Sequence, residues 1–176
     1  NVPQQSFVGV AFHLVDWTTY DAVYFRPFNF RAAGEAQRSH SVQYVSAPDN
    51  SWQKLRTERP GQFEKALDPA PDPDGWFHAR IVVAKSKVAV YLNGATTPCL
   101  VVDDLGEAKT GGVALWAGSG SDGSYANLTI TPTSPPGQPP ESRQTVFFAA
   151  ATGNLARLRA LVEADGKVVN ARRPDG

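Results

Sequence analysis

From Ser6 to about Pro132 the chain alternates short β-rich runs with breaks made of polar residues, glycine and proline. Ser6 to Leu14 (SFVGVAFHL) is the first such run, closed by the polar stretch Asp16 to Thr19. In Tyr20 to Phe25 (YDAVYF), Val23 and Phe25 fall on one side, and Tyr24 and the following Arg26 on the other, which is the two-residue period of a strand. Val42 to Ser46 (VQYVS) predicts another short strand, and a Pro- and Asp-rich excursion then runs to Asp72-Pro73-Asp74-Gly75. Phe77 to Ala84 (FHARIVVA), the turn Lys85-Ser86, and Lys87 to Leu92 (KVAVYL) before Asn93-Gly94 predict a β-hairpin. Gly111 to Ala117 (GGVALWA) and Tyr125 to Thr131 (YANLTIT) supply two further strands. Strands separated by turns at spacings of roughly 8–12 residues indicate an all-β sandwich. No amphipathic helix is expected up to this point, and Phe25, Trp76, Val90 and Trp116 are expected in the core.

The pattern changes beyond Pro132. Residues 133–142 (TSPPGQPPES) hold four prolines and a glycine, which suits an extended linker and no sheet interior. From 143 to 176 the apolar residues Val146, Phe147, Ala150, Leu155, Leu158, Leu161 and Val162 recur at three- and four-residue spacing, with Gly153-Asn154 as the break. That reads as a small helical hairpin.

Composition narrows the function classes. Among 176 residues, 17 Lys+Arg balance 17 Asp+Glu, so there is no basic field for nucleic acid or an anionic membrane. Apolar runs are only a few residues long, so neither a spanning helix nor a secretory signal is expected. The single cysteine, Cys99, excludes an internal disulfide framework and a cysteine-built zinc site, and leaves the compartment open. The chain contains no methionine and opens on Asn1, which reads as an internal piece of a longer protein.

Residues 147–176 carry Ala149-Ala150, Gly153, Leu155, Leu158, Leu161-Val162, Val169-Asn170-Ala171 and Asp175-Gly176 in the order of a first ankyrin repeat, which the segment resembles. One repeat cannot bury its apolar face without neighbours, so the resemblance offers a protein partner only through a full-length ankyrin array and not through this truncated repeat. Between Trp76 and Ile130, the residues Trp76, FHARIVVA, VAVYLNG, Asp104-Leu105, GGVALWAG and Tyr125-Ala126-Asn127-Leu128 resemble the concanavalin A-like and laminin-G-like jelly rolls. Val23-Tyr24-Phe25-Arg26-Pro27-Phe28-Asn29 and Val42-Gln43-Tyr44 are similar to the bacterial branch that includes 3-keto-disaccharide hydrolase-like domains. The resemblance implies a jelly-roll sandwich over residues 1–132, lacking strands that members carry before the position of Val8. It leans toward an exported bacterial protein, and it implies fold more than activity, because this scaffold hosts lectins, adhesion modules and glycosidases.

The candidate chemistry follows from that division. A glucanase would need carboxylates at alternate positions of one strand, but Glu35, Glu58, Glu64 and Glu107 stand apart in loop-like contexts. A carbohydrate ligand is the leading expectation, at His13, Tyr24, Arg26 and Gln43 with Trp17 and Trp52 in adjoining loops. Aromatic faces stack on sugar C–H groups while planar polar side chains bond the hydroxyls. The bland alternative is an ordinary solvated sheet face. Glycoside-processing catalysis and a structural domain that positions an ankyrin array remain the competing functions. Gly118-Ser119-Gly120-Ser121-Asp122-Gly123 fits G-x-G-x-x-G, yet a β-rich run follows it where a nucleotide site needs a helix. No cofactor and no catalytic residue are expected. A calcium at Asp103, Asp104 or Asp122 is the alternative to turn-capping aspartates, and Asp68, Asp72 and Asp74 do not follow EF-hand order.

Overall fold

The computed structural model describes residues 6–84 and 86–131. The expected linker at 133–142 and the ankyrin-like segment at 143–176 lie outside them. The described chain forms eight strands, β1 (Val8–Leu14), β2 (Tyr20–Phe25), β3 (Val42–Ala47), β4 (Glu64–Lys65), β5 (Ala79–Ala84), β6 (Lys87–Leu92), β7 (Leu100–Asp103) and β8 (Gly112–Ala117). Two short helices, α1 (Glu35–Arg38) and α2 (Trp52–Glu58), flank β3. One sheet has the order β4-β3-β2-β1-β8 and the other β5-β6-β7, with every pairing antiparallel. The all-β class expected from the alternating runs is therefore observed.

The strands form where the two-residue period places apolar side chains on one face. Val23 and Phe25 of β2, Val42 and Tyr44 of β3, and Phe12 of β1 share one buried cluster with Val88, Val90 and Leu92 of β6 and Leu100 and Val102 of β7. The two sheets thus pack on a common core. The expected β5–β6 hairpin is present, with Ala84 opposite Lys87. Asn93 and Gly94, at φ 49° and 77°, end β6 in the left-handed region that these residue types tolerate best.

Three expectations change. Helix α2 was not anticipated. Ser51 caps it by accepting a hydrogen bond from Lys54 N at 3.3 Å, and Leu55 alone is buried, so a helix this short leaves no apolar period to detect. Trp76 is 73% exposed, whereas Phe25 and Val90 are buried as expected. The inward alternation of β5 extends back through Ala79 to Phe77, which packs edge-on against Phe25 and Phe30 at 5.0 and 5.5 Å and turns Trp76 outward. Finally, Tyr125 to Thr131 forms no strand. Asn127 adopts φ 55°, which breaks an extended run, and Leu128 and Ile130 are exposed.

The sheets are unequal, five strands against three. Leu115 on β8 lies in register with Val10, yet the narrower sheet leaves it and Val113 exposed.

Candidate functional site

On the face of the larger sheet that points away from the core, β1 and β2 contribute Gly9, Ala11, Ala22 and Tyr24, and β8 contributes Trp116. Gly9 is paired with Tyr24 on one side and Trp116 on the other. A Cβ on Gly9 would stand 2.3 Å from the Val23 carbonyl oxygen and 2.6 Å from Tyr24 Cβ. Without it, the Tyr24 and Trp116 rings stack across the glycine at 4.6 Å.

Arg26 lies over the Tyr24 ring at 4.9 Å and the Phe7 ring at 5.6 Å. Its Nη2 donates to Tyr24 Oη at 2.9 Å and to Gln43 Oε1 at 2.6 Å, and its Nη1 to the His40 carbonyl at 2.8 Å. Tyr24 Oη in turn donates to Gln43 Oε1 at 3.2 Å. This trio is therefore brought together as the alternation implied, but it is not a solvated face: Tyr24, Arg26 and Gln43 are all buried. Burial pushes the Tyr24 hydroxyl up to about 12, so it stays protonated and remains a donor. Burial also lowers the Arg26 pKa, with Tyr24 opposing that effect. Gln43 Nε2 is buried without a hydrogen-bond partner among the described residues.

Strand β4 extends this cluster. Glu64, buried on the two-residue β4, accepts from Arg56 Nε at 2.8 Å and from Arg56 Nη2 at 2.6 Å, the bidentate fork of a guanidinium on a carboxylate. His40 Nδ1 stands 2.8 Å from Glu64 Oε2, and Arg26 Nη1 stands 4.0 Å from the same oxygen. The His40 pKa is lowered, chiefly by burial, against the pull of Glu64. Helix α2 places Trp52 one turn before Arg56, with the guanidinium 4.8 Å from the ring centre. A cavity of about 400 Å³ opens beside these groups, with His40, Arg56, Glu64 and Lys65 in its wall.

His13 and Trp17 fall elsewhere. The register of β1 shifts between Ala11 and Leu14, and His13 takes φ 49°, so simple alternation fails at that position. Its Nδ1 meets Asp21 Oδ2 at 2.8 Å. Asp21 Oδ1 accepts from Tyr44 Oη at 2.8 Å, and that hydroxyl accepts from Leu105 N at 2.9 Å. Burial and the neighbouring Asp21 raise the Tyr44 pKa. Trp17 is 87% exposed in the β1–β2 loop.

His13, Asp21 and Asp104 bring one donor atom each within 4.8 Å of one another, the one such group of potential metal ligands among the described residues. Asp104 Oδ2, however, is 3.0 Å from Lys109 Nζ, and Asp104 Oδ1 accepts from Gly106 N at 3.2 Å. Protein groups already serve these carboxylates. Asp103 pairs with Lys87 at 2.6 Å and Asp122 is exposed, so neither joins Asp104.

Compared with known proteins, the chain matches no family model, no curated protein and no solved structure. Function must therefore be read from the site itself. His40, Arg56 and Glu64 are the members that the sequence pattern missed. Glu64 looked isolated because its partners are Arg56 on α2, eight residues back, and His40 in the turn before β3. The Ser51 cap ahead of Trp52-Gln53-Lys54-Leu55-Arg56 was the available signal.

Proposed function

We propose that this chain is a carbohydrate-recognition module on a concanavalin A-like jelly-roll sandwich, binding at the cavity beside β3, β4 and α2. The two antiparallel sheets on one core support the scaffold reading. The observation that carries the function is the buried Arg26–Tyr24–Gln43 network joined through Glu64 to Arg56 and His40 at a cavity of about 400 Å³. Planar hydrogen-bonding groups held rigidly by buried partners suit fixed sugar hydroxyls, and the partly exposed Trp52 supplies an apolar face beside them. His13 and Trp17 are not part of this site.

The test is a glycan array probed with the full chain and with Trp52→Ala and Arg56→Ala, each checked for folding by circular dichroism. Retention of a defined glycan by the wild type and its loss in both variants supports the reading. A folded full chain that retains no glycan overturns it and favours the structural role of positioning an ankyrin array.

A second reading, a glycoside-processing hydrolase, draws on His40. Its Nδ1 faces Glu64, and Nε2 has no partner among the described residues, the arrangement of a general base oriented by a carboxylate. Product release from the retained glycan, abolished in His40→Gln without loss of binding, would favour catalysis over recognition alone.

A further inference from the structure

We infer that the cavity beside β4 selects an acidic glycan, one whose uronate carboxylate is received by Arg56 and Lys65; this rests on the carbohydrate reading above. Glu64 is the one acid in the cavity wall, which Arg56 and Lys65 also line, and Arg26 Nη1 stands behind it at 4.0 Å. The wall thus carries two cations and one acid.

Both oxygens of that carboxylate are already engaged. Glu64 Oε1 receives Arg56 Nε and Oε2 receives Arg56 Nη2, while His40 Nδ1 stands 2.8 Å from Oε2. An arriving ligand consequently meets donors. Arg56 spends two of its five N–H groups on Glu64, and Lys65 has no ion pair among the described residues. A neutral sugar hydroxyl satisfies such donors one at a time. A carboxylate satisfies two at once, and it also neutralises the excess charge. His40 adds no acceptor of comparable strength, since a neutral imidazole offers one lone pair.

The probes are oligogalacturonate, its fully methyl-esterified form, and free acetate, measured by titration calorimetry with the full chain. Methyl esterification removes the charge and nearly preserves the shape. The acidic oligomer is expected to bind at least about tenfold more tightly than the ester, the worth of one charge-assisted contact. That preference should shrink when salt rises from about 0.05 M to about 0.5 M. Lys65→Gln, an exposed substitution on β4, should reduce the preference several-fold, with most of the loss falling on the acidic oligomer. Equal affinity for acid and ester overturns this inference and leaves the carbohydrate reading standing. Binding of neither oligomer by the folded chain overturns both. Acetate competing as strongly per carboxylate as the oligomer overturns the sugar part and leaves a simple anion site.

Discussion

Replacing Glu64 with Gln removes the charge shared by Arg26 and Arg56 while keeping the shape of the side chain. Glu64 is 4% exposed, and its Oε2 lies 4.0 Å from Arg26 Nη1. At that separation, with an effective dielectric constant near 20, the attraction is worth about 4 kcal/mol. Part of the loss is offset, because a buried amide costs less than a buried carboxylate. The Arg56 side chain is 32% exposed and can turn to water, so its share is small. Arg26 is 6% exposed and cannot. The expected net destabilisation is about 3 kcal/mol, near the lower end for breaking a buried ion pair. For a domain of this size that corresponds to a fall in Tm of roughly 10 °C. Arg26→Met should cost a similar amount, because Gln43 Oε1 loses its charged donor. The double variant leaves no unpaired buried charge and should fall short of the sum by at least about 1 kcal/mol. Urea unfolding followed by tryptophan fluorescence is the assay; all four tryptophans lie between positions 17 and 116, so the signal reports the β domain. A Glu64→Gln protein within about 0.5 kcal/mol of wild type, or a strictly additive cycle, would refute the idea that these groups act as one unit.

Two further outcomes follow from the same structure. Burial holds the His40 pKa below its ordinary 6.5, with Arg56 and Arg26 acting in the same direction and Glu64 against it, so the unfolded chain binds the extra proton first. Stability from this residue should be full above about pH 6.5 and decline as the pH falls toward and through the folded value; His40→Gln should flatten that slope between about pH 7.5 and pH 5, and an unchanged slope would count against it. Tyr44→Phe strips the donor from Asp21 and the acceptor from Leu105 N, and should cost about 2 kcal/mol in urea unfolding; a loss below about 0.5 kcal/mol would show that water replaces both bonds.

The fold was legible where period-2 alternation was strong. Val23 and Phe25 against Tyr24 and Arg26, and the β5–β6 hairpin, follow from side-chain geometry alone. The site was legible only in part. Tyr24, Arg26 and Gln43 share one face because strands β2 and β3 pair with Tyr24 opposite Gln43. His13 left that face because a local register shift overrides alternation, and no residue type announces such a shift. Glu64, Arg56 and His40 stayed hidden for a different reason. Their meeting depends on a two-residue strand and a seven-residue helix, both too short to impose a period.

Strand β2 has no face left over for water. Asp21, Val23 and Phe25 serve one packing layer, while Ala22 and Tyr24, with Arg26 just beyond, serve another. In an ordinary half-exposed strand, every second position can drift among polar residues with little effect on folding. Here every position is answerable to a neighbour, so a one-residue slip would misplace both sets together. Invariance along β2 among homologues would therefore be expected even if the cavity bound nothing. Selection for ligand binding should instead be sought at Lys65 and Trp52, which are exposed and can change without unfolding the protein.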